Sequence, residues 1–243
     1  MVRIVSVPVC WFLGIAAFCQ MLEEGEYMGG GFPKTKGEQV GLAITAEDVE
    51  EARQKGRNCL VGGLLTDKKV NKEAFKNVLS RIWRVDGYVA FKEIQDNLWI
   101  IEFSDEKVKK RVMAGRPWSF DRHILVLKDF DGRVPPTRMD FMQSTFWIQV
   151  HDMPLICMFR AVGKKIGESL GHFEEVDVDD DGAGWGRSLR IRVTLGLTKP
   201  LEYGRELLIG GDSIWVSFKY EQLPLFCFHC GRIIHKTKGC MVN

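Results

Sequence analysis

Cys227, Cys230, His235 and Cys240 crowd one short C-terminal stretch in the spacing C-x2-C-x4-H-x4-C. A stretch this short cannot bury a hydrophobic core of its own, so it folds only around something its side chains grip together. Three thiolates and one imidazole are the soft and borderline donors that suit a tetrahedral Zn2+ ion. Two cysteines three residues apart reach one ion from a tight turn, and Gly231 lets the backbone fold back over it. The metal then supplies the folding free energy of the stretch. His229 stands inside the first cysteine pair and reads as exposed, because Cys230 already fills the ligand place.

The remaining cysteines, Cys10, Cys19, Cys59 and Cys157, are scattered through a chain of 243 residues with seven cysteines in all. An odd, uneven set excludes a disulfide-stapled secreted domain. The length is enough for one or two domains with real cores. Lysine and arginine number 34 against 32 acidic residues, a net charge of +2. That balance excludes a wholly basic histone-like chain and an acidic disordered one, and a nucleic-acid partner must be met by a local basic patch. The C-terminal stretch offers such a patch. No Asp or Glu occurs from Cys227 onward, while Arg232, Lys236 and Lys238 add positive charge and Phe228 adds an aromatic face. Cations for phosphate and a ring for base stacking suit single-stranded RNA or DNA.

Upstream, residues 4–19 form an uncharged apolar run after Arg3, shorter than a membrane span. The run resembles a secretory signal, with an untargeted N-terminal extension as the alternative. Residues 20–40 read as a flexible linker, and Thr45 with Asp48 marks a capped polar helix over 45–56. The pattern then predicts a strand at 59–65, an amphipathic helix at 71–84 capped by Asn71, and a hairpin of strands 88–94 and 98–103. A helix over 105–115 capped by Ser104 and a strand at 123–128 complete the series. Strand, helix, strand, strand, helix, strand is the ferredoxin-like order that RNA-recognition modules also use. After a proline-bearing linker over 129–145, a second α+β unit is expected. It holds a strand at 146–150, a helix at 157–170, and strands at 173–178, 187–195 and 213–220. The fold class is therefore α+β, divided as an extension (1–40), a first domain (41–132), a second unit (146–222) and a knuckle (227–240).

The stretch from Cys227 to Cys240 resembles the retroviral-type CCHC zinc knuckle. The chain from about residue 40 also resembles a large plant family of domain-of-unknown-function proteins linked to LINE-type retrotransposons, which end in such a knuckle. The words that carry the resemblance are Cys59-Leu60-Val61-Gly62 with Asn71 to Trp83, and Phe146 to Pro154. Val162-Gly163-Lys164-Lys165-Ile166-Gly167, Gly184-Trp185-Gly186-Arg187 and Phe218-Lys219-Tyr220-Glu221 complete them. The resemblance implies zinc binding through Cys227, Cys230, His235 and Cys240, and nucleic-acid binding. One departure is Ile234, where the family places glycine before the knuckle histidine; a branched residue there strains the loop if its φ is positive. The resemblance leaves out residues 1–39, which favours an atypical extension over a working secretion signal. Reduced thiolates also favour an intracellular site, in nucleus or cytoplasm.

Other signals read as structural. Asp177, Asp179, Asp181 and Gly182 match the start of a calcium loop, but Ser188 stands where a bidentate glutamate is needed, so the run is a solvated turn. Arg187, Arg190 and Arg192 face solvent or phosphate, with the solvated face preferred. Trp83, Trp99, Trp147 and Trp215 are assigned to the core, and His123, His151 and His172 have no catalytic partners. The sequence thus predicts a non-enzymatic protein that binds zinc and single-stranded nucleic acid. A protein-interaction scaffold with a structural knuckle, including self-association, is the alternative; no membrane partner is expected.

Overall fold

The computed structural model of the chain describes residues 42–85, 87–130, 132–235 and 240. The apolar run and linker expected over residues 1–40 lie outside them. Thr45 and Asp48 form the expected reciprocal cap: the Thr45 N–H donates to Asp48 Oδ2 at 2.8 Å, and the Asp48 N–H donates to Thr45 Oγ1 at 3.3 Å. The pair opens a 3-10 turn, Glu47–Val49, that leads into α1, Glu50–Gly56.

The first half of the body follows the expected alternation. It comprises β1 (Cys59–Leu64), α2 (Lys72–Ile82), β2 (Val89–Gln95), β3 (Leu98–Phe103), α3 (Glu106–Ala114), β4 (Trp118–Phe120) and β5 (His123–Asp129). Asn71 caps α2 by accepting the Ala74 N–H at 3.0 Å, an interaction worth about 1 kcal/mol. The cap of α3 is Asp105 and not Ser104: the Asp105 carboxylate accepts the Val108 N–H at 2.9 Å. A carboxylate there satisfies an orphan amide and also complements the positive end of the helix dipole. Phe75 and Leu79 of α2 are fully buried against the sheet, with the Phe75 ring stacked on Trp99 at 4.2 Å. The strands lie in the order β2-β3-β1-β5-β4, with every pair antiparallel. Without β4 this is the ferredoxin-like sheet. The sequence pattern did not reveal β4, because three residues after a proline are too few to show alternation. It joins β5 through Asp121-Arg122, whose φ values of 48° and 64° make a left-handed hairpin turn without glycine.

The second half comprises β6 (Gln143–His151), α4 (Arg160–Leu170), β7 (His172–Asp177), β8 (Leu189–Gly196), β9 (Gly204–Ile209) and β10 (Asp212–Tyr220). Its strand order, β7-β8-β6-β10-β9, repeats that of the first half position for position, and again every pair is antiparallel. One element differs. The connection that forms α3 in the first half is, in the second, the helix-free segment 197–203. The expected helix over 157–170 starts only at Arg160. A separate 3-10 turn, Leu155–Cys157, precedes it, and Met158 between them has ψ 56°. The hairpin β9–β10 turns at Gly210 and Gly211, as the two glycines suggest, but β9 is a half-exposed edge strand that the pattern missed. Gly163 and Gly167 bring α4 down onto its sheet. A Cβ on Gly163 would stand 2.9 Å from Val176, and one on Gly167 would stand 2.6 Å from Phe173.

The two halves each have a core, and strand β5 contributes to both. Leu125 and Leu127 of β5 face α2 and α3, whereas Ile124 and Val126 face the other way and join the core of the second half. Leu65, just past β1, joins that second core, and a Cβ on Gly63 would meet the Phe141 ring at 2.9 Å. In an RNA-recognition module the sheet face away from the helices stays open to stack bases; here, along β1 and β5, packing fills it. Trp83 and Trp99 are core residues, as expected. Trp147 and Trp215 are not: Trp147 is half-buried on the polar side of its sheet, and Trp215 is exposed. Among the described residues no helix is long and apolar enough to cross a membrane.

The close seat of α4 gives a direct test. Gly163→Ala should lower stability by about 1–3 kcal/mol, because the added methyl has to displace Val176 or the helix. The urea midpoint should fall accordingly. Gly186→Ala, where nothing lies within 4 Å, should stay within about 0.5 kcal/mol of the parent.

Candidate metal and nucleic-acid site

Beyond β10 the chain first ties itself to the first half: the Leu225 N–H donates to the Arg122 carbonyl at 2.8 Å. It then doubles back. The Cys227 N–H donates to the Arg232 carbonyl and the Gly231 N–H to the Cys227 carbonyl, each at 2.8 Å. Gly231 has φ 72°, a left-handed conformation that explains glycine at this place. The turn brings one ligand atom each from Cys227, Cys230, His235 and Cys240 within 4.8 Å of one another. Among the described residues this is the only such group of three or more cysteine, histidine or acidic side chains. Cys230 Sγ lies 3.1 Å from His235 Nε2. The N–H groups of Cys230 and His229 point toward the Cys227 sulfur and draw its thiol down to about 6. Metal bonds of about 2.0–2.3 Å set tetrahedral donors roughly 3.3–3.8 Å apart, so this donor set fits zinc with small adjustments.

The knuckle is not a free-standing stretch that depends on metal alone, as its length suggested. It docks on segment 197–203. The Leu201 N–H donates to the Gly231 carbonyl at 2.9 Å, the Ile234 N–H donates to the Leu197 carbonyl at 2.9 Å, and Arg232 bridges Pro200. Ile233 and Ile234 pack against the second core. The expected strain at Ile234 is absent, since its φ is not among the positive ones. A branched apolar side chain stands there because it has a core to enter. These docking residues escaped the sequence reading. Their signal was two adjacent isoleucines inside an otherwise polar knuckle.

The candidate nucleic-acid contacts fare unequally. Phe228 is 86% exposed, and its ring lies 4.7 Å from that of Phe226. Arg232 is half-buried, with its Nε covered by protein, so it is less open than the sequence implied. Lys236 and Lys238 lie outside the described residues. His229 is exposed, and its Nδ1 and Nε2 are not in the ligand group.

Two arginines weighed as phosphate contacts are engaged within the fold. Arg190 forms a fork with Glu221, Nε to Oε1 at 2.8 Å and Nη2 to Oε2 at 2.9 Å, and its Nη1 meets Asp177 at 2.5 Å. Its guanidinium also covers the Trp147 ring at 4.3 Å. Arg192 is buried, with Nε 3.2 Å from Glu174. The acidic run is thus partly matched to cross-strand arginines. Its tip is a turn in which the Asp181 carboxylate accepts the Ala183 N–H. Hydrogen bonds from Arg190 hold the Glu221 carboxyl below the usual range. Burial raises that of Glu174, but the Thr194 and Thr145 hydroxyls together with the Arg116 and Arg192 charges outweigh it, and the net shift is downward.

Comparison with known proteins agrees with this layout. Residues 52–138 match a family described as a domain of unknown function (DUF4283), and residues 195–242 match the zinc knuckle family. The first match takes in β1 through β5. The second begins ahead of segment 197–203, so it includes the surface on which the knuckle docks. The chain is also similar to an uncharacterized Arabidopsis thaliana protein, At4g02000, with 26% identity over 130 residues. The match covers 53% of this chain and 41% of that relative.

Docking and charge pairing lead to separate tests. Ile234→Ala should loosen the knuckle and raise amide exchange at Leu201 and Ile234 about tenfold, equivalent to ~1.4 kcal/mol. Exchange in β6 and β8 should hold. Glu221 and Glu174 have lowered pKa values, so their stabilisation is complete above the ordinary value of 4.5 and is lost as pH falls through the lower folded value. Urea midpoints measured from pH 7 to pH 3 should therefore drop below about pH 4.5. Glu221→Gln should shallow that drop and cost about 1 kcal/mol at pH 7, with screening at this partly exposed pair included.

Proposed function

We propose that this protein is a non-enzymatic, zinc-dependent nucleic-acid-binding protein that engages single-stranded RNA or DNA through its knuckle. The observation that carries this reading is the gathering of four zinc-type ligand atoms within 4.8 Å on the same turn that holds out Phe228. A bound zinc ion would cross-link the turn and fix the pitch of that ring. The exposed face of Phe228 stacks a base, and the surplus of Arg232, Lys236 and Lys238 over acidic residues attracts phosphate. The reading assigns no catalytic role: Asp177, Glu221 and Glu174 pair with arginines, and His235 belongs to the ligand group. The resemblance to plant retrotransposon-linked proteins supports a retroelement origin. A thiolate-rich metal site supports action inside the cell, in nucleus or cytoplasm.

One observation favours a second reading, a protein-interaction scaffold. The edge strand β9 and its surroundings expose Leu208, Tyr203 and Trp215, and the last two rings lie 5.5 Å apart. An open edge with apolar side chains is a surface for another chain, including a second copy of this one.

The two readings separate in one experiment. The purified protein should contain about one zinc per chain, and labelled single-stranded oligonucleotides should raise its anisotropy signal at low salt. A chelator should abolish the signal, and Phe228→Ala should weaken it by about 1–3 kcal/mol. Zinc-independent binding, or none, excludes the first reading. Concentration-dependent self-association in sedimentation without nucleic-acid binding supports the second.

A further inference from the structure

The knuckle does not stand over open solvent. Between it and the first half lies a hollow of about 560 Å³, walled by Phe226, Phe228 and Ile233 on one side and by Leu65, Thr66 and His123 on the other. Thr66 and His123 also border a second hollow of about 460 Å³. That one continues past Phe120 and Val70 to Lys68 and Lys69, at the capped start of α2. The two hollows share Thr66 and His123 in their linings and together reach from the exposed Phe228 ring to a pair of adjacent lysines. The bond from Leu225 to the carbonyl of Arg122, in the β4–β5 turn, fixes the knuckle segment to that turn. Both walls of the path are thus held before any partner arrives.

We infer that this path is a second half of the nucleic-acid site, in which a single strand leaves the knuckle, crosses Thr66 and His123, and places phosphates at Lys68 and Lys69. The inference rests on the nucleic-acid reading of the knuckle and deepens it. Three features point to a single strand as the occupant. The path is continuous with the stacking ring of the knuckle. Its hollows carry apolar faces beside their polar groups, Val70 and Phe120 in one and Phe226, Phe228 and Ile233 in the other, against which flat ring systems can pack. Lys68 and Lys69 are exposed, and neither has an ion-pair partner among the described residues, although most other lysines nearby do. Asp67 and Asp121 also border the hollows, which sets the phosphates at the lysine end and leaves the middle of the path to bases. A double helix is too wide for such a path. The body therefore contributes to binding directly, and affinity depends on strand length beyond the footprint of the knuckle.

The test uses the full chain loaded with zinc and two labelled oligodeoxythymidylates, of about four and about twelve nucleotides, a span of common site sizes. The double variant Lys68→Gln/Lys69→Gln should bind the longer probe about tenfold more weakly at low salt. Its slope of log affinity against log salt should shrink by about 1.4, for two phosphates released. Binding of the shorter probe and the zinc content should be unchanged. A matched variant on α4, Lys164→Gln/Lys165→Gln, removes the same charge away from both hollows and should leave the slope as it was. Equal loss with both probes, an unchanged slope, or a longer probe that binds no tighter than the shorter one overturns the inference while the knuckle reading stands. Failure of the unsubstituted protein to bind either probe overturns both.

Discussion

The burial of β1 and β5 on both faces governs the rest of the molecule. A strand with one solvated face alternates apolar and polar residues; these two do not. Residues 59–64 are buried throughout, and residues 124–127 alternate only in which core they enter. The helix side of the sheet takes Leu60, Leu64, Leu125 and Leu127. The opposite side, through Ile124 and Val126, becomes a wall of the second core. Each half therefore needs the other to cover its interior, and the apolar pattern of β1 and β5 is the residue-level cause.

The repeated strand order gives this dependence a shape. Both halves place their first strand at the centre, flank it with the third and fifth, and keep the second and fourth at the edges. They differ in how the third strand reaches the fourth. In the first half α3 makes the crossing and adds Val112 to the core. In the second half segment 197–203 makes it without a helix, and the docked knuckle packs Ile233 and Ile234 against that core. The metal-type site is therefore part of the wall of the fold, which explains why its residue before His235 is apolar.

Local sequence signals revealed much of this architecture. The periodicity of α2, the β2–β3 hairpin and the C-x2-C-x4-H-x4-C spacing all depend on neighbours within a few residues, and each is found where it was expected. Features set by distant partners were not legible. Arg190 and Arg192 read as a solvated face because Glu221 and Glu174 meet them only through the sheet. Trp147 read as core because its cation cover comes from the adjacent strand. Edge strand β4 lacks the length to show a period, and β9 is half-exposed with no clear alternation of apolar and polar residues, so the existence of both follows from pairing with β5 and β10. Ile234 seemed out of place in the knuckle because its packing partners lie far back in the sequence.

The order in which the strands pair has a kinetic consequence. In each half the central strand is made early, but its last neighbour arrives late: Leu60 pairs with Asp129, and His151 with Ser217. These loops of about seventy residues place the closing contacts among the slow, non-local kind. The hairpins β2–β3, β4–β5 and β9–β10 form locally, yet none of them completes a core. During synthesis the second interior therefore stays open until β10 has emerged, and the knuckle, made after it, adds Ile233 and Ile234 to a core that has only just closed.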